Sequence, residues 1–179
     1  MTTIFLIGPG GVGKSTVGKL LAKKLGYLFI DQDHLFKLQH GELIPFIMQH
    51  SEAEYTAQNY LLLKSVLKEL KNKDMVIAMS PSSFTSGIHS TDRKTARVCK
   101  KHGTIVLMLP SRFPGVDVQR LYNQVKDRDY TTSLQHTKMM YLSWVNLYKR
   151  SADLTVFVGR SSLTTMVRRI IKGITPLLK

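Results

Sequence analysis

Cysteine is nearly absent from this chain of 179 residues, because Cys99 is the only one. A single cysteine excludes an internal disulfide and a cysteine-based structural zinc site. Long apolar runs are missing too. The apolar residues 4–7 have no basic segment before them and soon meet glycines, so they are too short for a signal peptide or a membrane span. We therefore expect a protein of the reducing cytoplasm with no membrane partner.

Acidic residues are scarce, with 12 Asp and Glu against 26 Lys and Arg, which gives a formal net charge of +14. Such an excess is typical of proteins that bind polyanions, nucleic acid among them. The basic residues nevertheless recur at helical spacing, as in Lys19 and Lys23 or in Lys64, Lys68 and Lys71. This spacing indicates the polar faces of amphipathic helices. We expect solvated helix faces and phosphate binding; a nucleic-acid surface is the alternative.

Short apolar segments alternate with amphipathic ones along the whole chain. This alternation predicts an α/β fold, with a parallel sheet covered by helices on both faces and ligands at the carboxyl ends of the strands. No repeat or linker interrupts it, so we expect a single domain over residues 1–179. The predicted strands are residues 2–7, 28–30, 75–79, 104–109 and 154–158. The predicted helices are residues 14–25, 51–71, 91–101, 116–125, 134–150 and 163–171.

A glycine-rich segment connects the first predicted strand to the first predicted helix. It reads G-P-G-G-V-G-K-S and matches the Walker A pattern G-x-x-x-x-G-K-S/T. Glycines let consecutive backbone N–H groups point inward and surround phosphate oxygens at the positive end of the helix. The residues predicted to bind ATP here are Gly8, Gly10, Gly11, Val12, Gly13, Lys14, Ser15 and Thr16.

Three side chains of this segment have expected roles in phosphate chemistry. Lys14 reaches the β- and γ-phosphates as a compact cation, and the Ser15 hydroxyl is a ligand for Mg²⁺. Thr16 adds a contact with the α-phosphate. The alternative is a glycine-rich turn that merely links strand to helix, but four glycines beside Lys14 and Ser15 argue against it.

Two aspartates follow the second predicted strand. Asp31 and Asp33 emerge at the sheet edge that carries the glycine-rich segment, and their two-residue spacing sends both carboxylates the same way. We predict that Asp31 holds Mg²⁺, directly or through water, and that Asp33 orients or deprotonates an acceptor hydroxyl. The alternative for Asp33 is a helix N-cap, because it stands just before residues 34–36 and Asp is a favoured cap.

Residues 8–18, G-P-G-G-V-G-K-S-T-V-G, together with Asp31 and Asp33 resemble the shikimate kinase family. The likeness covers most of the chain and includes residues 147–148, 152–154 and 167–171. The resemblance implies a three-layer α/β/α P-loop NTPase fold with a five-stranded parallel sheet in the order 2-3-1-4-5. It also implies a kinase, expected as a monomer, that uses ATP and Mg²⁺ to phosphorylate an alcohol group of shikimate or a related small metabolite.

The resemblance also assigns two arginines to the site. Arg128 would lie in a lid of approximately residues 112–134 and stabilise charge on the transferring phosphoryl group; an ordinary surface arginine is the alternative. Arg160, after the last strand, resembles a residue that flanks the adenine pocket. The expected catalytic residues are Lys14, Asp33 and Arg128.

The chain departs from the family pattern where the acceptor would bind. An arginine that binds the acceptor carboxylate is expected after Phe46, where this chain has Ile47, and a second arginine is expected at the position of Trp144. Serine-rich residues 80–83 stand where the family has glycines. A buried carboxylate without a bidentate cation forfeits about 2 to 5 kcal/mol. The acceptor is therefore left open by the sequence.

Two explanations account for the missing arginines. Lys138 or Arg150, on the long helix, would supply the positive charge from another position. Alternatively, the acceptor is a neutral polyol or stacks on an aromatic ring. The residues that would line such a pocket are Ser80, Ser82, Ser83, Trp144 and Tyr148, for which ordinary loop and core roles are the competing interpretation.

Three functional interpretations remain. The first is a metabolite kinase of the shikimate kinase type. The second is a nucleoside or nucleotide kinase, which would need arginines for a second phosphate or a site for a base, and Trp144 is compatible with a base site. The third is a nucleotide-binding module without acceptor chemistry, regulatory or associated with nucleic acid; nucleic-acid binding that falls steeply with salt would favour it.

Overall fold

The structure is a computed structural model that describes residues 1–85, 89–113, 118–125 and 133–177. Its strands form one five-stranded parallel sheet in the order β2-β3-β1-β4-β5, as the resemblance implied. The strands are β1 (Thr3–Ile7), β2 (Leu28–Asp31), β3 (Met75–Ala78), β4 (Gly103–Leu109) and β5 (Leu154–Phe157). Every predicted strand is present, and the ends agree to within about one residue.

Helices cover the sheet. Within the described ranges they are α1 (Lys14–Leu25), α2 (Gln32–His40), α3 (Leu43–Gln49), α4 (Glu52–Glu69), α5 (His89–His102), α6 (Val118–Val125), α7 (Leu134–Ser151) and α8 (Leu163–Ile174). Helices α1 and α8 pack together, and α1 contacts β2 and β3 while α8 contacts β5. Helices α5 and α7 contact β4, and α4 contacts α5. In the part of the chain that the structure describes, no helix is both long and apolar enough to cross a membrane.

The centre of the sheet is its most buried part. β1 lies between β3 and β4, and its residues Ile4, Phe5 and Leu6 are fully buried. A continuous apolar run of this kind is expected where helices cover both faces of a parallel strand. Because β1 is anchored so deeply, the glycine-rich segment that follows it is fixed at the carboxyl edge of the sheet.

Two helices were not predicted from the sequence. α2 begins directly at the end of β2, and α3 has only 7 residues, too few to show a helical period. Tertiary packing stabilises both of them. Phe36 of α2 stacks edge to face on Phe46 of α3 and on Tyr55 of α4, with ring centroids 5.0 and 4.8 Å apart. With Leu62 these rings form a second, smaller core.

The ends of two helices agree with their sequence signals. Ser51 caps α4, because its hydroxyl accepts a hydrogen bond from the N–H of Glu54 at 3.1 Å. Gly26 ends α1 in the left-handed conformation, with φ of 71°. Local capping chemistry therefore sufficed to predict these boundaries.

Gln32 joins three elements at the carboxyl ends of β2 and β3. Its buried side chain donates from Nε2 to the carbonyl of Asn59 in α4 at 2.8 Å. Its Oε1 accepts from the N–H of Ser80 at 2.9 Å and from the hydroxyl of Ser83 at 3.1 Å. A buried amide satisfied at both ends fixes α2, α4 and the loop after β3 relative to one another.

Replacing Gln32 with leucine removes these three hydrogen bonds and leaves their partners buried without them. We expect Gln32→Leu to lower the free energy of unfolding by about 2 to 5 kcal/mol in urea denaturation. Gln39→Leu is the matched control, because Gln39 is exposed on the same helix, and its effect should stay within about 0.5 kcal/mol. Equal losses in the two variants would contradict the role of Gln32.

Candidate functional site

The glycine-rich segment forms a tight loop between β1 and α1. Gly8 has φ of 138°, and a Cβ atom there would lie 2.3 Å from the carbonyl oxygen of Met108 in β4. Gly13 precedes the first residue of α1 in the left-handed region, with φ of 96°. Both positions therefore favour glycine strongly. The loop presents its backbone at the positive end of α1, the geometry that suits phosphate.

Lys14 is held inside this loop. Its side chain is buried, and the ammonium donates to the carbonyl oxygens of Gly8 at 2.8 Å and Pro9 at 3.0 Å. The other residues predicted to bind ATP differ in exposure: Gly10, Gly11 and Gly13 are half-buried, Val12 is buried, and Ser15 and Thr16 are exposed. The two hydroxyls of the first turn of α1 are thus accessible to a ligand.

Asp31 begins α2. Its Oδ1 accepts a hydrogen bond from the N–H of His34 at 3.3 Å, so Asp31 is the N-cap of the helix. The alternative considered for Asp33, that it is the cap, is therefore wrong. The cap lies two residues earlier because the helix starts without a turn after β2.

Asp33 lies among hydroxyl groups. The hydroxyls of Ser80 and Tyr55 lie near its carboxyl, and these two hydroxyls are hydrogen-bonded to each other at 2.7 Å. The hydroxyl of Ser82 extends the cluster at 3.3 Å from that of Ser80. The carboxyl of Asp33 thus lies beside a group of hydroxyls, and Asp33 is exposed to the cavity described below.

Loss of solvent and the positive charge of Lys14 shift the pKa of Asp33 in opposite directions. Loss of bulk solvent raises the pKa of Asp33 above its ordinary 3.8, and the nearby Lys14 ammonium and the hydroxyl donors lower it by less. Burial and the charge of Asp33 raise the pKa of Tyr55 to about 12. Tyr55 therefore stays a neutral hydrogen-bond donor, and Asp33 is more basic than an ordinary surface aspartate.

One cavity of about 500 Å³ connects the loop with Asp33. Pro9, Gly10 and Gly11 form one end of its wall, and α7 contributes another part through residues such as Trp144. Clefts of this size with a few convergent polar groups are typical of small-molecule sites.

Sequence reasoning missed several residues of this wall. His136, Met140 and Trp144 recur every four residues on α7 and all line the cavity, yet only Trp144 was singled out. That spacing was the signal that would have found the other two. Glu52 and Tyr55 also line the cavity, and nothing in the sequence distinguishes them from other residues of the first turn of α4.

The predicted acceptor pocket is only partly correct. The cavity is lined by three of its members, Ser80, Ser82 and Trp144. Ser83 instead donates to Gln32. Tyr148 is fully buried, and its hydroxyl donates to the carbonyl of Pro81 at 2.7 Å, so Tyr148 is a core residue.

The two basic residues expected to replace the missing arginines lie away from the cavity. Lys138 and Arg150 are exposed and do not line the cavity, so the first explanation for the missing arginines is wrong. Among the wall residues that the structure describes there is no lysine or arginine. Arg160 is exposed in the turn after β5, and Arg128 lies outside the described residues.

The donor set of the loop is compatible with Mg²⁺. Within the described ranges, no three His, Cys, Asp or Glu side chains form a metal-binding group. A magnesium ion bound to nucleotide does not need one, because it is held by one or two protein oxygens, phosphate oxygens and water. The exposed hydroxyl of Ser15 and the carboxylate of Asp31 are oxygen groups of the kind that such an ion binds.

Comparison with known proteins agrees with this geometry. The shikimate kinase family model matches residues 10–175. A shikimate kinase of Nitrosomonas europaea is 30% identical over 173 residues, which cover 94% of this chain and 76% of that protein. A structure of shikimate kinase from Acinetobacter baumannii in complex with shikimate is 26% identical, has a TM-score of 0.78 and covers 100% of this chain and 96% of that one.

A second solved structure shares the fold. Shikimate kinase from Aquifex aeolicus is 22% identical, with a TM-score of 0.72 and coverage of 98% of both chains. Phosphate loop, sheet order and sequence similarity together lead to one conclusion: this chain belongs to the shikimate kinase family, whose members are ATP-dependent phosphotransferases with an alcohol group as acceptor.

Proposed function

We propose that this chain transfers the γ-phosphate of ATP to a hydroxyl group of a small metabolite, either shikimate or a related hydroxylated compound. The observation that carries the proposal is the single cavity that runs from Pro9, Gly10 and Gly11 to the carboxylate of Asp33. A phosphate bound at the loop and an acceptor beside Asp33 would share one enclosure, which removes much of the entropic barrier to their reaction.

The loop residues bind the nucleotide in this proposal. Backbone N–H groups from Gly8 to Gly13 surround phosphate oxygens, and the Lys14 ammonium neutralises charge on the β- and γ-phosphates. The Ser15 hydroxyl and the Asp31 carboxylate would hold Mg²⁺, which supplies further charge neutralisation when bound. Thr16 would contact the α-phosphate.

Asp33 acts on the acceptor. Its carboxylate takes the proton of the acceptor hydroxyl as that oxygen bonds to the γ-phosphorus, while the bond between this phosphorus and the bridging oxygen breaks and ADP leaves. The hydroxyls of Ser80 and Tyr55 lie beside the carboxylate and favour its ionised form. The raised pKa of Asp33 makes it a stronger base than an exposed aspartate.

Two arginines complete the proposed site. Arg160 would flank the adenine from the turn after β5. Arg128 and residues 114–117 and 126–132 of the lid fall outside the described residues, so the stabilisation of the transferring phosphoryl group by Arg128 stays a prediction from the resemblance. A single domain over residues 1–179, acting as a monomer in the cytoplasm, belongs to the same proposal.

Release of ADP tests the reaction. The assay contains ATP, Mg²⁺ and a panel of hydroxylated acceptors with shikimate first. We expect ADP release that depends on an acceptor, together with a phosphorylated product detected by mass spectrometry. ADP release that no acceptor stimulates would contradict the proposed transfer.

Removal of the Lys14 ammonium should abolish turnover. We expect Lys14→Ala to lower the rate by roughly 10³-fold or more, because charge on the transferring phosphate loses its nearest cation. The circular dichroism spectrum should be unchanged. Lys19→Ala is the matched control, since Lys19 is exposed on the same helix. Turnover of the Lys14 variant at the control's rate would refute the assignment.

Neutralising Asp33 should affect transfer more than nucleotide binding. We expect Asp33→Asn to reduce phosphoryl transfer by about 10²- to 10⁴-fold, the usual contribution of a general base. ATP affinity, measured by calorimetry, should change little. Equal transfer rates for the variant and the native chain would show that Asp33 has no catalytic role.

The raised pKa of Asp33 also has a consequence for stability. The folded protein binds this proton more tightly than the unfolded chain does, so the ionised carboxylate lowers the free energy of unfolding at neutral pH. This penalty disappears as the pH falls through the raised pKa towards 3.8. We expect Asp33→Asn to raise Tm at neutral pH, and the gain to shrink on acidification. A gain that is independent of pH would contradict this account.

A further inference from the structure

Three hydroxyl groups form a chain along one side of the cavity. The hydroxyl oxygens of Tyr55 and Ser80 are 2.7 Å apart, and those of Ser80 and Ser82 are 3.3 Å apart. All three residues line the cavity, although Tyr55 belongs to α4 and the serines follow β3. Packing has therefore brought several hydrogen-bonding groups to one part of the wall.

The chain begins beside the carboxyl of Asp33. The hydroxyls of Tyr55 and Ser80 lie near this group and lower its pKa, so they favour a negative charge there. Burial and the charge of Asp33 raise the pKa of Tyr55 to about 12, so the phenol keeps its proton at neutral pH. Tyr55 is therefore a permanent hydrogen-bond donor at this end of the chain.

Ser82 ends the chain at the cavity. A serine hydroxyl has one donor and two acceptor sites. Within the described ranges the neighbours of this hydroxyl are those of Ser80 and Tyr55, so at least one site is left for a ligand. Tyr55 and Ser80 are only 4% and 2% exposed, whereas Ser82 is half-buried. Ser82 is therefore the member of the chain that a ligand reaches most easily.

A second hydroxyl of the acceptor fits this position. With the reacting hydroxyl at Asp33, a hydroxyl on the adjacent carbon would lie along the chain, because only the hydroxyl of Ser80 stands between the carboxyl and Ser82. A wall built to bind a hydroxyl discriminates against analogues that lack it, since its own polar groups are then left unpaired.

We infer that Tyr55, Ser80 and Ser82 form a subsite for a second acceptor hydroxyl, next to the one that is phosphorylated. Ser82 contacts that hydroxyl, and Tyr55 is a positioning residue that acts through Ser80. The inference rests on the proposed kinase function and narrows its acceptor to a compound with two neighbouring hydroxyl groups.

Acceptors that differ by one hydroxyl test the subsite. Shikimate is compared with analogues that each lack one ring hydroxyl, using the full chain with ATP and Mg²⁺. The analogue without the reacting hydroxyl is not phosphorylated. Among the others, we expect an analogue that lacks a neighbouring hydroxyl to lose about 10-fold in kcat/KM, mainly through KM, because one hydrogen bond to the wall is lost.

Two variants locate the effect. Ser82→Ala should raise KM for shikimate by about 10-fold and leave KM for that analogue unchanged, because the same hydrogen bond is already absent. Tyr55→Phe keeps the ring that stacks on Phe36 and removes only the hydroxyl. It should reduce the preference for shikimate over the analogue by about 3-fold or more, with KM for ATP unchanged.

Two further variants are matched controls. Ser65 and Tyr60 also lie on α4, but outside the cavity wall, so Ser65→Ala and Tyr60→Phe should retain the native preference. Thermal melting verifies that each variant folds.

The outcomes separate the subsite from the kinase function. If shikimate is phosphorylated and Ser82→Ala raises KM equally for shikimate and for every reactive analogue, the subsite is refuted and the kinase function stands. Equal preferences in Tyr55→Phe and Tyr60→Phe overturn the positioning role of Tyr55. If neither shikimate nor any analogue is phosphorylated, nor bound in calorimetry with ADP and Mg²⁺ present, both proposals fail.

Discussion

The amide of Gln32 is the interaction on which the geometry of the site depends. It binds α4 through the carbonyl of Asn59 and the loop after β3 through Ser80, while its own backbone starts α2. Asp33 is the next residue, and its carboxyl lies near the hydroxyls of Ser80 and Tyr55. A single buried side chain therefore fixes the start of α2 relative to Ser80, and the stacked rings of Phe36, Phe46 and Tyr55 add contacts between α2, α3 and α4.

The two halves of the cavity obey different constraints. The end at the loop is built mainly from backbone, with glycines required at Gly8 and Gly13 by close approach and by conformation, so few side chains can vary there. The rest of the wall is built from side chains of α3, α4 and α7, such as Ile47, Glu52 and Trp144. A fold of this kind keeps its phosphate chemistry while its acceptor changes.

The surroundings of Asp33 favour the protonated form of its carboxyl. Loss of solvent raises its pKa, so the ionised carboxylate lowers the free energy of unfolding at neutral pH. The deeply buried strands β1 and β4 and the small aromatic core offset that cost. Groups with strongly shifted pKa values are common at functional sites, which often lower the stability of the folded protein.

The sequence by itself determined the sheet's strands, the caps at Ser51 and Gly26 and the phosphate loop, because each depends on a local pattern of a few residues. Helices α2 and α3 were not predicted, because they are short and are stabilised by contacts between aromatic rings of α2, α3 and α4.

Only the tertiary structure decided that Asp31 rather than Asp33 caps α2 and that Tyr148 belongs to the core. It alone brought Glu52 and Trp144 to one cavity. Residues far apart in the chain meet through packing, and the spacing within one helix cannot show which other elements complete the wall.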